Sequence, residues 1–245
     1  MKIIGIVPAR YGSTRLPAKP LADIYGKPLV WWAYNQAVKV KTFDELYVAT
    51  DSEQIGDVCE QYTIPFLMTS SNCVTATDRL VEVSEMIDAD VYTIVNGDEP
   101  LIDPADIDAS VAVVDGNVDV GVLCCPLASA IETINPSIHK FALNNANEVI
   151  YVSRQPIPFP QSRIDYTMYK CIGTHSVSKR AIQLYRDTPM GRLESVESND
   201  LLRFLENHIT IKAVITEHQS LSVDTAKDLA EVRKIILSIQ GEKNG

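Results

Sequence analysis

Residues 3–21 read IIGIVPARYGSTRLPAKPL: an apolar run over 3–7 stops at Pro8 and opens into a loop extending to about Pro20. A short continuous apolar run bounded by proline reads as a buried strand. The loop behind it is basic, since residues 10–27 hold Arg10, Arg15, Lys19 and Lys27 against one acid, Asp23, a local balance of +3. The chain as a whole is acidic: 22 Lys and Arg face 32 Asp and Glu over 245 residues, a formal net charge of -10. Such a surface repels nucleic-acid phosphates and anionic lipid, so neither nucleic acid nor membrane is an expected partner, and an anionic ligand needs a locally basic pocket. Ligands of open α/β sheets bind beyond the carboxyl ends of the strands, where this loop emerges.

Outward from that loop, apolar spacing predicts a helix over 28–40 with Pro28 in its first turn, a strand over 46–50, a helix over 52–62 and a short strand over 64–68. Leu80, Val81, Val83, Met86 and Ile87 mark a further helix with Thr77 as a possible N-cap. The near-continuous run 91–95 reads as a strand buried on both faces, and Asp103-Pro104 opens a helix to about residue 114. This alternation indicates a parallel sheet with helical crossovers, a Rossmann-like α/β fold. After residue 117 the rhythm changes. Strands are expected over 118–127, 140–153 and 168–176, an antiparallel excursion suited to subunit contact, then helices over 179–186 and 194–207 and a strand over 209–216. Asp224 or Thr225 caps a last amphipathic helix through Leu229, Val232, Ile235 and Ile236. The expectation is one domain over 1–245, with a dimerisation and acceptor subregion at about 118–190.

Five cysteines lack CxxC spacing or a Cys/His cluster, which argues against zinc and a disulfide framework, and the odd count fits a reducing compartment. The N-terminal apolar run is too short for a signal peptide, and no segment approaches the ~18 apolar residues of a membrane span. A soluble, cytoplasmic protein is expected. Neither GxGxxG nor GxxxxGK[ST] occurs, so the loop after the first strand is neither a dinucleotide fingerprint nor a P-loop. Arg10 and Arg15 still offer planar donors for phosphate, and Lys19 a compact charge. Asp98 follows the strand 91–95 at the same sheet edge; it fits a turn with Gly97 and Pro100, and equally a carboxylate that holds a divalent ion beside phosphate. Asp224 fits a helix N-cap or a second such carboxylate.

Together these pieces resemble the cytidylyltransferases that activate 3-deoxy-manno-octulosonate (Kdo), the CMP-Kdo synthetases. The likeness rests on PARYGSTRLPAKPLADIYGKPL from Pro8 to Leu29, VATD ending at Asp51, TDRL from Thr77, GDEPLI from Gly97, SRQPIP from Ser153 and VDTAKDL from Val223. The resemblance implies a nucleotide-diphosphosugar-transferase-like fold, a homodimer, and Mg²⁺-dependent transfer of CMP from CTP to a small acidic sugar. On that reading Pro8, Ala9, Arg10, Arg15, Lys19, Thr77, Asp78, Arg79 and Asp98 bind the nucleotide, and Arg10, Lys19, Asp98 and Asp224 are catalytic. Asp98 and Asp224 also hold the metal, and Arg154, Lys170, His175, Glu197 and Asp200 face the acceptor.

The acceptor side departs from the family pattern more than the phosphate side. The family's SGT[DE]R becomes Thr75-Ala76-Thr77-Asp78-Arg79, and QGDEP becomes Asn96-Gly97-Asp98-Glu99-Pro100. Its RHxGxY corresponds to Lys170-Cys171-Ile172-Gly173-Thr174-His175, replacing both the histidine and the tyrosine, and its LEQLR to Asn199-Asp200-Leu201-Leu202-Arg203. A site that hydrogen-bonds substrate hydroxyls loses discrimination when those partners change. The expected acceptor is therefore Kdo-like but altered: a modified ulosonic acid, a sialic-like acid or a phosphonate. A non-catalytic CTP-binding protein is the alternative from another class.

Overall fold

The N-terminal run forms strand β1 (Ile3–Ala9) in the computed structural model, which describes residues 1–13, 15–162 and 165–243; Thr14 of the basic loop lies outside them. Pro8 and Ala9 extend the strand past its apolar stretch because they stay in register with Ala49 and Thr50. A one-turn 3-10 helix at Lys19–Leu21 leads to a ribbon of β2 (Asp23–Ile24) and β3 (Lys27–Pro28), then to helix α1 (Leu29–Ala37) and strand β4 (Glu45–Thr50). Helix α1 starts after Pro28, whose backbone is extended and pairs with Asp23. Lacking an N–H, proline suits a ribbon edge that feeds a helix.

The expected alternation continues through α2 (Glu53–Gln61), β5 (Phe66–Met68), α3 (Ala76–Met86), β6 (Val91–Val95) and α4 (Pro104–Ala112). Next come β7 (Val120–Pro126), a short α5 (Ala130–Ile134) absent from the pattern, β8 (Lys140–Leu143), β9 (Val149–Ser153) and β10 (Tyr169–Ser178). The chain closes with α6 (Lys179–Asp187), α7 (Arg192–Glu197), α8 (Leu201–Glu206), β11 (Ile211–Ile215) and α9 (Ala226–Lys243).

Two stretches fold otherwise than their patterns imply. Residues 140–153 make a hairpin, not one strand: Asn144 Oδ1 accepts the N–H groups of Ala146 and Glu148, and Asn147 turns left-handed at φ 58°. Residues 194–207 make two helices because Ser198 is left-handed at φ 50°. The break is braced by a two-pronged bond from Arg203 to Glu194, 2.7 Å on each side.

Among the described residues the main sheet has nine strands, ordered β11-β7-β10-β6-β1-β4-β5, with β8 and β9 attached at β10. Strands β6, β1, β4 and β5 are parallel, as are β7 and β11, while β10 is antiparallel to both β6 and β7. This is the mixed α/β sheet with the antiparallel excursion that the sequence implies. Leu80 and Val83 of α3 and Ala181, Ile182 and Tyr185 of α6 cover one face; Val30, Ala33, Ile55, Cys59 and Ile107 from α1, α2 and α4 cover the other. Each valine, leucine and isoleucine among them contributes about 1.5–3 kcal/mol when fully buried. Helix α9 lays Leu229, Val232 and Ile236 against Ile24 and Leu29, so the last element closes over the β2–β3 ribbon. No helix among the described residues is long and apolar enough to cross a membrane. The parallel register brings the carboxyl ends of β1, β4 and β6 to one edge.

Gly121 lets α4 sit directly on β7, since a Cβ there would lie 2.1 Å from the Ser110 carbonyl oxygen. Gly121→Ala is expected to destabilise the fold by about 1–3 kcal/mol through overpacking. Urea unfolding should show a lower midpoint at unchanged m-value; an unmoved midpoint would mean that α4 lifts freely.

Candidate active site

Three segments distant in sequence meet at the strand ends. The loop after β1 passes through a left-handed Ala18 (φ 51°) into the 3-10 turn, which aims Lys19 across the edge. Its Nζ lies 2.5 Å from Asp98 Oδ2 and 3.1 Å from Asp224 Oδ1, and Arg15 Nη2 lies 2.9 Å from that same Asp224 oxygen. Asp98 stands in the turn after β6, which must pass tightly over β1: a Cβ on Gly97 would be 2.7 Å from the Pro8 carbonyl oxygen. The Val223 N–H donates to the Asp98 carbonyl (2.8 Å) and brings the Asp224 loop alongside. Asp224 does not cap α9. Thr225 and Asp228 satisfy one another there, Thr225 N–H to Asp228 Oδ2 at 2.8 Å and Asp228 N–H to Thr225 Oγ1 at 3.3 Å, which leaves the Asp224 carboxylate to the cations.

These groups line a cavity of about 290 Å³. Pro8, Ala9, Arg10, Arg15, Lys19, Arg79, Asp98 and Asp224 all reach it, joined by Ser13, Cys73, Thr75, Asn96 and Gly97, to which the sequence assigned no binding role. Among the described residues Arg10 forms no ion pair and stays exposed. Helix α3 points its N-terminus into the cavity, where its dipole favours anions. The cap is Thr75 rather than Thr77, because only Thr75 has a carboxylate three residues on: Asp78 N–H donates to Thr75 Oγ1 (3.0 Å) and Thr75 N–H to Asp78 Oδ2 (2.8 Å). Asp78 thus shapes the helix start. Arg79 is buried and held by Asp51 at 3.1 Å and by Thr69. Burial, with Glu82 nearby, pushes the Cys73 thiol up to about 12, so it stays protonated and is no nucleophile.

Thr77 does not line the cavity: it is fully buried, donates to Asp200 Oδ2 at 2.6 Å and stands 3.2 Å from His175 Nε2. Burial holds the His175 imidazole below its usual range, with the Asp200 charge working against it. The other candidate acceptor residues stand apart from this trio. Arg154 is spread over the carbonyls of Pro136, Glu197 and Ser198, while Glu197 accepts from Ser153 Oγ (2.7 Å) and the Arg154 N–H (2.9 Å). Lys170 pairs with Glu132 at 2.7 Å and sits opposite Cys125, on the sheet face away from His175, which sits opposite Val122.

Glu99 is a residue that motif reading passed over. It is 4% exposed; Oε1 accepts the Gly173 N–H at 2.8 Å and Oε2 accepts from Ser220 Oγ. Burial, then the Asp98 charge beside it, pushes its carboxyl up to about 7. Asp98 Oδ1, by contrast, is buried with no hydrogen-bond partner among the described residues. An orphaned carboxylate oxygen beside a second carboxylate, both already turned toward one point cation, suits a divalent ion completed by phosphate oxygens and water.

A basic cavity at the carboxyl edge of a mixed α/β sheet, with a helix N-terminus and paired carboxylates, defines a nucleotidyltransferase. A family model described as cytidylyltransferase matches residues 4–242. The chain is 36% identical to the 3-deoxy-manno-octulosonate cytidylyltransferase of Trichlorobacter lovleyi over 96% of its length and 98% of the relative. It is 35% identical to the 8-amino-3,8-dideoxy-manno-octulosonate cytidylyltransferase of Shewanella frigidimarina, over 94% of this chain and 96% of that one. The solved structure of a CMP:2-keto-3-deoxy-manno-octonic acid synthetase complexed with CTP superposes with a TM-score of 0.92 at 34% identity, covering 97% of this chain and 99% of the other. The chain belongs to the cytidylyltransferase family and is a CTP-dependent nucleotidyltransferase.

His139 supplies a test of the site's surroundings. Its carbonyl accepts the Cys171 N–H (2.9 Å), its Nε2 is buried without a partner among the described residues, and burial followed by the Arg154 and Lys140 charges pulls its pKa from 6.5 to about 4 against the pull of Asp200 and Glu197. The unfolded chain binds a proton there that the folded chain refuses, so this contribution is full above pH 6.5 and is lost as pH falls through about 4. His139→Gln is expected to flatten the stability profile across that window in denaturant titrations; an unchanged slope would mean that the ring is protonated in the fold.

Proposed function

We propose that this cytidylyltransferase moves CMP from CTP to a Kdo-type ulosonic acid, in the cytoplasm and toward surface polysaccharide. The observation that carries the reading is the convergence of Lys19, Asp98 and Asp224 inside a basic cavity. Arg10, Arg15 and Lys19 receive the triphosphate, α3 directs its N-terminus at it, and Asp98 and Asp224 hold Mg²⁺. When bound, Mg²⁺ neutralises charge on the phosphate oxygens. An acceptor hydroxyl forms the new bond to the α-phosphorus as the bond to pyrophosphate breaks, and its proton leaves to solvent. Such transfer needs positioning and charge neutralisation and no protein nucleophile, which agrees with the protonated Cys73.

The acceptor differs from Kdo at the end that meets Asp200. Support comes from Asp200 itself, whose neighbours are Thr77 and a histidine held neutral by burial, in place of a cation. A carboxylate so placed favours a hydrogen-bond donor or an amine. Relatives named for Kdo and for its 8-amino form lie within one percentage point of identity to the chain, 36% and 35%. A homodimer through residues 118–190 is supported by Ile131, Ile134 and Phe159, 77%, 74% and 80% exposed.

Asp98→Asn and Asp224→Asn should each lower turnover roughly 10²–10³-fold, read as pyrophosphate release, with melting near wild type; near-normal turnover in either would remove the metal assignment. In a panel of Kdo, 8-amino-Kdo, sialic acid and small phosphonates with CTP and Mg²⁺, the highest kcat/KM is expected for an amine-bearing ulosonic acid. A clear preference for Kdo would overturn the altered-acceptor reading.

A further inference from the structure

The Asp98 turn is tied down by more than its own backbone. Glu99, the next residue, turns its side chain into the protein and ends between two other segments. Its Oε1 takes the N–H of Gly173, inside the β10 irregularity where register is lost between Ile172 and His175. Its Oε2 takes the hydroxyl of Ser220, on the loop that carries Asp224. The fit is tight: a Cβ on Gly173 would lie 2.4 Å from Glu99 Oε1 and 1.8 Å from Asn96 Nδ2. The Asn96 N–H donates to the Gly173 carbonyl (3.1 Å), and the Val223 N–H to the Asp98 carbonyl (2.8 Å), so backbone bonds run in parallel with both side-chain bonds. One carboxyl therefore clasps the Asp98 turn, the Asp224 loop and the strand beside the acceptor region.

We propose that Glu99 is a positioning residue for the carboxylate pair: by clasping Gly173 and Ser220 it fixes the separation of Asp98 from Asp224 and so the metal dependence of CTP binding. It touches neither substrate nor metal, since both its oxygens are engaged within the protein. The proposal rests on the metal reading above. Partners that orient ligating groups shift metal affinity by about 10–100-fold when removed. Glutamine keeps both contacts, with its oxygen accepting from Gly173 and its amide donating to Ser220, so the clasp predicts rescue by Glu99→Gln and none by Glu99→Ala.

The test is calorimetric titration of wild type, Glu99→Gln, Glu99→Ala, Ser220→Ala and Asp98→Asn with CTP alone and with CTP plus Mn²⁺. The readout is the ratio of the two affinities, alongside the melting temperature. Wild type and Glu99→Gln should show the same metal-dependent tightening; Glu99→Ala should lose roughly 10–100-fold of it, and Ser220→Ala a smaller part, with CTP-alone affinity held. A purely structural role would move CTP-alone affinity and melting together and leave the ratio alone. The proposal is overturned if Glu99→Ala keeps the wild-type ratio, or if Glu99→Gln falls as far as Glu99→Ala. Should Glu99→Ala not fold, an unchanged ratio in Ser220→Ala overturns it. Loss of the ratio in Asp98→Asn but not in Glu99→Ala sinks only the clasp, whereas no ratio in wild type sinks the metal reading itself.

Discussion

The ammonium of Lys19, 2.5 Å from Asp98 and 3.1 Å from Asp224, is the contact on which the arrangement of the site depends. Two carboxylates at one sheet edge repel each other, and at an effective dielectric of about 20 a unit-charge pair near 4 Å is worth about 4 kcal/mol. Lys19, with Arg15 on the second carboxylate, cancels that repulsion locally. The segments it joins follow β1, follow β6 and precede α9, so the contact exists only because β1 and β6 are parallel and in register. Helix α9 must also close over the β2–β3 ribbon to deliver its preceding loop.

The same contact explains how a chain of net charge -10 accommodates a triphosphate. The basic groups here are not spare surface charge. Arg79 is committed to Asp51, and Lys19 and Arg15 are paired with the carboxylates, while Arg10 stands free of ion pairs among the described residues. On the proposed reading a nucleotide entering with its metal would exchange partners: phosphate would take Lys19 and Arg15, and Asp98 and Asp224 would be left to hold the cation. Both states would be neutralised, and a burial cost that an unpaired charge would impose would be avoided in each.

How much of this was legible in the sequence depends on how local the deciding contacts are. Strand β6 was plain because all five residues are buried, and its apolar run has no polar face to blur it. Asp98 could be placed because it ends that strand. The capping of α3 was misassigned by two residues, since Thr75 and Thr77 both precede an apolar stripe and only the spacing to Asp78 separates them. Asp224 stayed ambiguous because Thr225 competes for the same cap and wins through Asp228. The α7–α8 break falls at a serine in a left-handed conformation, with no glycine or proline to announce it. Glu99 could not be read as a positioning residue from the sequence, for its partners Gly173 and Ser220 are remote in the chain, and the glycine of the 170–175 motif offers only a backbone N–H that no side-chain pattern announces.

The β10 irregularity bears on why the two halves of the site diverge unequally. Strict alternation after Cys171 would keep odd positions on one face; the slip between Ile172 and His175 inserts two residues and returns His175 to the face of Cys171, beside Thr77 and Asp200. Contact with the nucleotide side passes through Gly173, whose N–H and C=O bond Glu99 and Asn96. Those are backbone groups, indifferent to the side chains at 171 and 175. Substitution at 171 or 175 therefore leaves the backbone ties of the Asp98 turn in place, whereas a side chain at Gly173 would run into Asn96 and Glu99 and disturb them.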